Sequence, residues 1–122
     1  MAVCTCASST YCHVVRHQRH KYNCIDDLKS KLKEAGTSLV VIDFFAVWCG
    51  PCKMIGPLIE ELSKEMQDVI FLKVDVDECE DIAAEYEITS MPTFIFIKEG
   101  KVLETFSGAN YDKLKNTVEK HK

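Results

Sequence analysis

The feature that most constrains the fold is an apolar run that ends just before a pair of cysteines. Residues Leu39–Phe45 are rich in β-branched and aromatic side chains, which is typical of a strand buried on both faces of a sheet. The motif Cys49-Gly50-Pro51-Cys52 follows, and apolar residues at helical spacing come after it. We therefore predict that the cysteine pair lies where a buried strand leads into the N-terminus of a helix.

The rest of the chain alternates between helical and strand patterns. Helices are predicted from apolar spacing over residues 28–35, 58–66, 82–86 and 111–118. Further strands are predicted over residues 69–76, 93–97 and 102–106. Gly100 between the last two strands indicates a hairpin turn. Pro57 lies inside the helical pattern that follows Cys52 and is expected to kink that helix. This order predicts an α/β fold with a central mixed sheet, parallel in its centre with an antiparallel C-terminal hairpin, flanked by helices on both faces.

Residues 1–19 differ from the remainder, because they contain no acid and hold no sustained periodicity. We expect a disordered extension over residues 1–19 and one domain over residues 20–122. A first strand, if it exists, is expected between Val14 and Asn23. A targeting segment, a non-native start and a metal site are the alternatives for the extension. The candidate metal ligands would be Cys4, Cys6, Cys12, His13, His17, His20 and Cys24.

The charge and hydropathy of the chain exclude two classes of partner. It carries 15 Lys and Arg against 19 Asp and Glu, for a net charge of −4, and every acid lies at Asp26 or later. An acidic body with no basic stripe is a poor ligand for nucleic acid. The longest apolar stretch, residues 39–49, contains Asp43 and is too short to span a membrane. We expect neither a nucleic acid nor a membrane as a partner.

The number of cysteines bears on the redox compartment. The chain has 7 cysteines, whereas a secreted disulfide framework normally has an even number and follows a signal peptide. The first residues lack the apolar segment of a signal peptide. We therefore expect a reducing compartment in which most of the thiols are free.

A Cys-x-x-Cys pair at a helix N-terminus is suited to redox chemistry. Unpaired N–H groups and the positive end of the helix dipole stabilise a thiolate there, so Cys49 is expected to be the nucleophile and the more exposed thiol. Cys52 lies on the same face and can close a disulfide with Cys49. Zinc would need two further ligands, and the residues after 25 offer only Cys79 and His121. We expect no metal, and two small core residues without chemistry remain the other alternative.

Four ordered motifs connect this pair to a known family. They are residues 41–53, residues 73–77, Met91-Pro92-Thr93 and Gly108. With these motifs the sequence resembles the thioredoxin family, and in particular the small metazoan thioredoxins, over about residues 22–122. The resemblance implies the thioredoxin fold and a protein-disulfide reductase that maintains cell redox homeostasis. Gly50-Pro51 lacks the cation of a Gly-His pair, which favours a reductase over an oxidase.

The resemblance also implies a two-step exchange. Cys49 attacks a disulfide in a target protein, and Cys52 then releases the reduced target and leaves a Cys49–Cys52 disulfide. Asp43 is a carboxylate inside a buried strand, so it is expected to hold a proton near neutral pH and to exchange it with Cys52. A purely structural role for Asp43 is the alternative. In the family the matching acid is the buried proton carrier, and Lys73 matches the lysine beside it.

Further site residues follow from the resemblance. It implies a cis peptide bond before Pro92, which packs against the disulfide, with an ordinary trans bond as the alternative. The residues expected to form an apolar rim for extended peptides are Trp48, Gly50, Pro51, Met91 and Gly108. A surface-packing role is the alternative for Trp48. Cys79 matches an extra cysteine of some animal thioredoxins and is either a regulatory thiol or a small, partly buried residue.

The source of electrons is expected to lie outside the chain. The sequence has no Gly-x-Gly-x-x-Gly motif, so no bound cofactor is expected, and NADPH and FAD would belong to a partner, thioredoxin reductase. Disulfide-containing targets such as peroxiredoxins are the other expected partners of a monomer. The expected location is the cytoplasm and also the nucleus, with mitochondria less favoured. The alternative function is a binding module that holds partner proteins in the same groove and releases them on oxidation.

Overall fold

The structure is a computed structural model that describes residues 11–14 and 24–122. Within these residues the chain alternates between strands and helices. The strands are β1 (Tyr11–Val14), β2 (Leu39–Phe45), β3 (Ile70–Asp75), β4 (Thr93–Lys98) and β5 (Lys101–Ser107). The helices are α1 (Cys24–Ala35), α2 (Gly50–Glu65), α3 (Glu80–Glu85) and α4 (Tyr111–His121).

The strands form one mixed sheet. Its order is β1-β3-β2-β4-β5, with β1 and β2 parallel to β3 on either side of it. Strand β4 runs antiparallel to β2 and also to β5. The predicted parallel centre and antiparallel C-terminal end are therefore confirmed. The long apolar strand β2 occupies the middle of the sheet, as its continuous burial requires.

The first strand lies earlier in the chain than expected. Strand β1 pairs with β3 from Tyr11 opposite Phe71 to Val14 opposite Val74, whereas the expectation placed it between Val14 and Asn23. Four residues of the expected disordered extension are thus in the sheet, which corrects that assignment for residues 11–14. An edge strand is held by backbone hydrogen bonds, so it needs no apolar alternation that a sequence would reveal. Residues 1–10 and 15–23, and with them most of the candidate metal ligands, lie outside the described residues.

The turn between β4 and β5 has the conformation that the sequence predicts. Glu99 and Gly100 have φ values of 53° and 79°. Positive φ at both central residues is the signature of a type I′ turn, whose twist matches that of the two strands. A register shift between Phe96 and Ile97 adds a local irregularity to this ladder. The predicted hairpin is confirmed.

Helices cover both faces of the sheet. Alternate residues of β2 enter two separate cores, with Val40 and Ile42 on one face and Leu39 and Val41 on the other. The first core contains buried residues of α1 and α3. The second contains buried residues of α2 and α4. The predicted layers are confirmed, and β2 is fixed from both sides.

The helix ends follow local sequence signals. Helix α1 ends at Ala35, and Gly36 after it has a φ of 61°, a conformation that favours glycine at this position. Helix α2 continues past Pro57 to Glu65, so this proline does not end it. Across the described ranges, no helix has both the length and the apolar composition to cross a membrane.

Candidate active site

The cysteine pair lies where β2 leads into α2. The chain turns between β2 and α2, where the Cys49 N–H donates a hydrogen bond to the Ala46 carbonyl at 3.1 Å. Cys49 is the N-cap of α2, with an extended backbone, and Pro51 lies in the first turn. The two cysteines form a disulfide, with their Cα atoms 5.3 Å apart. The predicted junction of buried strand and helix is confirmed.

The first turn of α2 acts directly on the Cys49 sulfur. The Cys52 N–H donates a hydrogen bond to Cys49 Sγ at 3.2 Å. Such a donor is stronger toward a thiolate than toward a neutral sulfur, and the helix dipole adds to it. Once the disulfide is reduced, Cys49 is therefore the cysteine whose negative charge the helix stabilises.

The two cysteines are almost equally buried, which differs from the expectation. Cys49 exposes 6% of its surface and Cys52 exposes 7%. Both belong to a small cluster with Ala46, against which Met91 and Phe45 pack. Because the two bonded sulfurs lie in the same small cluster, neither cysteine is markedly more exposed than the other.

Asp43 and Lys73 lie side by side in the sheet. They are register partners on the parallel strands β2 and β3, and Asp43 is buried with 4% of its surface exposed. The Lys73 ammonium lies 5.1 Å from the centre of the Phe45 ring. Burial disfavours a lone carboxylate, and a neighbouring lysine offsets part of that cost. The pair proposed from the resemblance is thus brought together.

A pocket extends from the resolving cysteine to Lys73, one member of this pair. It has a volume of about 370 Å³, and its lining includes Cys52, Phe45, Lys73 and Glu60. Asp43 is not among the described residues that line it. The space is large enough for water molecules.

The Met91-Pro92 loop lies beside the disulfide. Its peptide bond is cis, as the resemblance implies, and Met91 packs against the Cys49–Cys52 cluster. The Pro92 carbonyl accepts a hydrogen bond from the Gly108 N–H at 2.9 Å. Gly108 has a φ of 108°, a conformation open mainly to glycine. This bond joins the Met91-Pro92 loop to the end of β5, so Met91 and Gly108, two of the predicted rim residues, come together.

Exposed apolar side chains lie on both sides of the cysteine pair in the chain. Trp48 is 64% exposed, and its neighbour Val47 is 62% exposed. Met54 and Leu58 on α2 are 77% and 46% exposed. Val47, Met54 and Leu58 were not predicted as site residues, since in a sequence they look like ordinary core positions. Where such exposed apolar side chains adjoin one another, they are typical of a surface that contacts other proteins.

A hydrogen bond that the sequence analysis missed fixes the tryptophan. The indole Nε1–H of Trp48 donates to Asp77 Oδ2 at 2.8 Å. Asp77 lies in the motif over residues 73–77, but a contact between residues 29 positions apart leaves no local signal. This hydrogen bond therefore fixes the orientation of the Trp48 indole, although most of the side chain is exposed.

Cys79 is not an exposed thiol. It has no accessible surface and forms a disulfide with Cys24, also fully buried, with their Cα atoms 5.5 Å apart. The expectation that most thiols are free is therefore wrong for Cys24 and Cys79, whereas the disulfide expected between Cys49 and Cys52 is present. The cysteines of this second disulfide are 55 residues apart in sequence. Spacing alone cannot assign such a connectivity.

No metal centre is found in the part of the chain that the structure describes. There, no three side chains of His, Cys, Asp or Glu lie close enough to hold an ion. Both sulfurs of the Cys-x-x-Cys motif are used in a bond to each other. The geometry at this motif is that of a dithiol–disulfide couple.

Known proteins share both the sequence and the fold. The family model Thioredoxin matches residues 21–120. Thioredoxin-T of Drosophila melanogaster is 59% identical over 97 residues, which are 79% of this chain and 62% of that protein. Thioredoxin of Homo sapiens is 55% identical over 87 residues, 71% of this chain and 83% of that protein.

Solved structures agree with this result. The Fasciola hepatica thioredoxin has a TM-score of 0.79 and 52% identity, covering 80% of this chain and 94% of that one. The Schistosoma mansoni thioredoxin has a TM-score of 0.81 and 41% identity, covering 93% and 99%. The chain spans less than two thirds of the length of Thioredoxin-T, but most of these other relatives.

Proposed function

Since the chain belongs to the thioredoxin family and is a protein-disulfide oxidoreductase, we propose that it is a general reductase with Cys49 as nucleophile and Cys52 as resolving thiol. The observation that carries this assignment is the hydrogen bond from the Cys52 N–H to the Cys49 sulfur at the start of α2. The donor is aimed at Cys49, so the thiolate forms preferentially there.

The thiol–disulfide exchange proceeds in two steps. The Cys49 thiolate attacks one sulfur of a target disulfide, forming a mixed disulfide and releasing the other target sulfur as a thiolate. Cys52 then loses its proton and attacks the Cys49 sulfur. The bond between Cys49 and the target breaks, the target leaves with two reduced sulfurs, and the Cys49–Cys52 disulfide forms.

Asp43 is the proposed acceptor of the Cys52 proton. Its burial supports this role, because a buried carboxyl group takes up a proton more readily than an exposed one. Lys73, its register partner, lines the pocket that also contains Cys52. We propose that water in this pocket carries the proton between the two sides.

The proposed substrate surface is the apolar rim around Cys49. Trp48 supplies a large exposed ring with an anchored orientation. The Met91-Pro92 loop offers backbone groups beside the disulfide to an extended peptide, since Met91 packs against it. Gly50, Pro51 and Gly108 complete the rim without bulky side chains. Recognition through backbone and apolar contact supports a broad range of protein substrates.

The proposed electron source, target proteins and cellular location are inferred from membership in the thioredoxin family. The proposed electron source is NADPH, through the FAD of a thioredoxin reductase, and the proposed targets include peroxiredoxins. Cys49 and Cys52 are the redox group of the chain itself, and we propose that it binds no further cofactor and works as a monomer. Membership in this family supports a location in the cytoplasm and nucleus.

We retain residues 20–122 as the proposed catalytic domain. The family match over residues 21–120 supports this boundary. Strand β1 is then an addition from the preceding segment to the edge of the domain's sheet. Limited proteolysis with mass mapping tests this division, since cleavage within residues 15–23 would release a fragment and leave the remainder folded.

Reduction of insulin by dithiothreitol tests the function. The intact chain should accelerate the appearance of turbidity, and Cys49→Ser should give the rate of dithiothreitol alone. Cys52→Ser keeps the nucleophile but cannot resolve, so it should accumulate covalent complexes on a non-reducing gel. Equal rates for the intact chain and Cys49→Ser would contradict the proposal.

A second candidate function is binding without turnover. The exposed apolar rim favours it, because the same surface could hold a partner protein in a redox-dependent way. Under this alternative Cys49→Ser binds its partners as tightly as the intact reduced chain. Under the reductase proposal, capture depends on the Cys49 sulfur.

A further inference from the structure

The Cys24–Cys79 disulfide joins two elements on the face of the sheet opposite α2. Cys24 is the first residue of α1, and Cys79 is the N-cap of α3. Both side chains belong to the core that lies under α1 and α3, and neither has accessible surface. The bond therefore links the two helices through the interior of the protein.

A second contact supports the same junction. The Ile25 N–H, next to Cys24 in the chain, donates a hydrogen bond to Asp81 Oδ2 at 3.2 Å. The other oxygen of Asp81 accepts from the Ile82 N–H at 3.0 Å. One carboxylate thus satisfies backbone donors at the N-termini of both helices. The two cysteines are held together by their surroundings as well as by the covalent bond.

The loop before α3 connects this junction to the active-site rim. The Cys79 N–H donates to the Asp75 carbonyl at 2.8 Å, and the Asp77 N–H donates to Asp75 Oδ1 at 2.9 Å. Asp77 in turn accepts the indole N–H of Trp48. The loop is therefore fixed to α1 at Cys79 and to the substrate surface at Asp77.

We propose that Cys24–Cys79 is a structural disulfide that stays closed while Cys49–Cys52 cycles, and that it positions Asp77 and, through it, Trp48. The closed bond does not depend on the reductase function, whereas the positioning of Trp48 for substrates rests on that proposed function. Thiol–disulfide exchange needs a thiolate to reach a sulfur atom. Both sulfurs of this bond are covered in the folded protein, so exchange requires local opening of α1 or α3.

The bond forms at the expense of a small-molecule disulfide such as oxidised glutathione. The thiolate of one cysteine attacks that disulfide, giving a mixed disulfide and one small-molecule thiol. The second cysteine then attacks the protein sulfur of the mixed disulfide. The Cys24–Cys79 bond forms and the second small-molecule thiol leaves, before the two helices close over the sulfurs.

Differential alkylation with peptide mapping tests the bond in the full chain. The chain is refolded with oxidised glutathione, treated with dithiothreitol in native buffer, and labelled with light N-ethylmaleimide. After denaturation and full reduction, the remaining thiols receive heavy N-ethylmaleimide. Cys49 and Cys52 should carry the light label, and more than about 90% of Cys24 and Cys79 the heavy label. With urea in the first step all four should be light.

The opposite labelling pattern would overturn the proposal. Light label on Cys24 and Cys79 at the same rate as on Cys49 would show that the second bond exchanges freely or never formed. The experiment uses no insulin and no enzymatic turnover. A failed reductase assay and a failed cross-link are therefore distinguishable.

The positioning role is tested with the double variant Cys24→Ala/Cys79→Ala. Trp48 is the single tryptophan of the chain, so its fluorescence reports the rim directly. We expect the fluorescence emission of Trp48 to shift. The KM for insulin should rise by about fivefold, which corresponds to the loss of one hydrogen bond, and kcat should change little. Asp77→Ala keeps the disulfide and should give the same shift and the same rise in KM.

Unchanged emission and KM in the double variant would contradict the positioning role. If that variant does not fold, as judged by circular dichroism, the comparison is made on the unsubstituted chain. The chain is reduced fully in urea and refolded with and without oxidised glutathione. Identical emission from the two refolded samples, with Cys49–Cys52 reduced in both, would then overturn it.

Discussion

At the scale of single residues, Cys49 takes the place of a helix-capping serine or aspartate. Its sulfur accepts the N–H of Cys52, an orphan donor of the first turn of α2. A thiolate accepts this bond better than a disulfide sulfur does. Reduction therefore strengthens the cap, and the helix favours the thiolate form of its own N-cap.

The role of Asp43 leads to a prediction for Asp43→Asn. The amide has nearly the same shape but cannot take a proton from Cys52, so release of the target from the mixed disulfide should slow by about 10²-fold. Single-turnover mixing with a fluorescent disulfide substrate measures attack and release separately. The matched control is Asp68→Asn on the surface, and an unchanged release rate in Asp43→Asn would remove Asp43 from the mechanism.

Tyr86 gives a prediction for alkaline pH. Burial, and to a lesser extent the nearby Glu85 carboxylate, raise the pKa of Tyr86 above its ordinary value. The folded state thus holds this proton more tightly than the unfolded state. The resulting stability is complete below the ordinary tyrosine pKa and is lost as pH rises through the higher folded-state pKa.

Tyrosinate absorbance during an alkaline titration measures this effect. A late ionisation step should be present in the folded chain and absent in urea. Tyr86→Phe should remove that late step and keep the packing of the ring on Phe44, whose centre lies 5.9 Å away. A late step that persists in Tyr86→Phe would assign it to another tyrosine.

At the scale of elements, the β4–β5 turn depends on glycine for its backbone conformation. A Cβ at Gly100 would meet no atom within 4 Å, but φ is +79°. Gly100→Ala should therefore lower the free energy of unfolding by about 1 kcal/mol, through backbone strain alone. Gly56→Ala in α2 is the control, since its Cβ also meets nothing and its φ is ordinary.

The control should change stability in the opposite direction. Alanine in a helix interior is favoured over glycine by about 0.5–1 kcal/mol, so Gly56→Ala should unfold at a higher urea concentration. Urea denaturation of the two variants and the parent chain measures both effects. Equal destabilisation by both substitutions would show that side-chain crowding, and not φ, decides the outcome.

The elements that the sequence predicted are those whose signal is local. Strand β2 and the β4–β5 hairpin are encoded by periodicity and turn residues within a few positions. Strand β1 is held by backbone pairing with a distant segment, and the Trp48–Asp77 and Cys24–Cys79 contacts span 29 and 55 residues. Such contacts form only in the complete fold, so no short sequence pattern predicts them. The cysteine pair itself was predictable because strand, motif and helix adjoin in the chain.

At the scale of the whole molecule, the sheet carries its N-terminal strand on one edge. A chain lacking residues 1–14 would lose the four paired positions between β1 and β3. At roughly 0.5–1 kcal/mol for each pair, we expect the free energy of unfolding to fall by about 2–4 kcal/mol. The newly open edge of β3 should also promote self-association. Urea denaturation and gel filtration measure the two effects.

A chain lacking only residues 1–10 is the matched control, because it keeps β1 whole. It should unfold at nearly the same urea concentration as the full chain. If both truncated chains match the full chain, β1 contributes nothing to the fold in solution. If both are equally unstable, the stabilising residues precede Tyr11.

The register of β1 has a consequence for biosynthesis. Tyr11 pairs opposite Phe71, so its partner leaves the ribosome 60 residues later, a delay of about 3–12 s at ordinary rates of translation. During that interval β2 emerges, and it can pair with β3 as soon as β3 appears, while the first strand still waits. Strand β1 is therefore synthesised first but can join the sheet of the nascent protein only after β3 has been made.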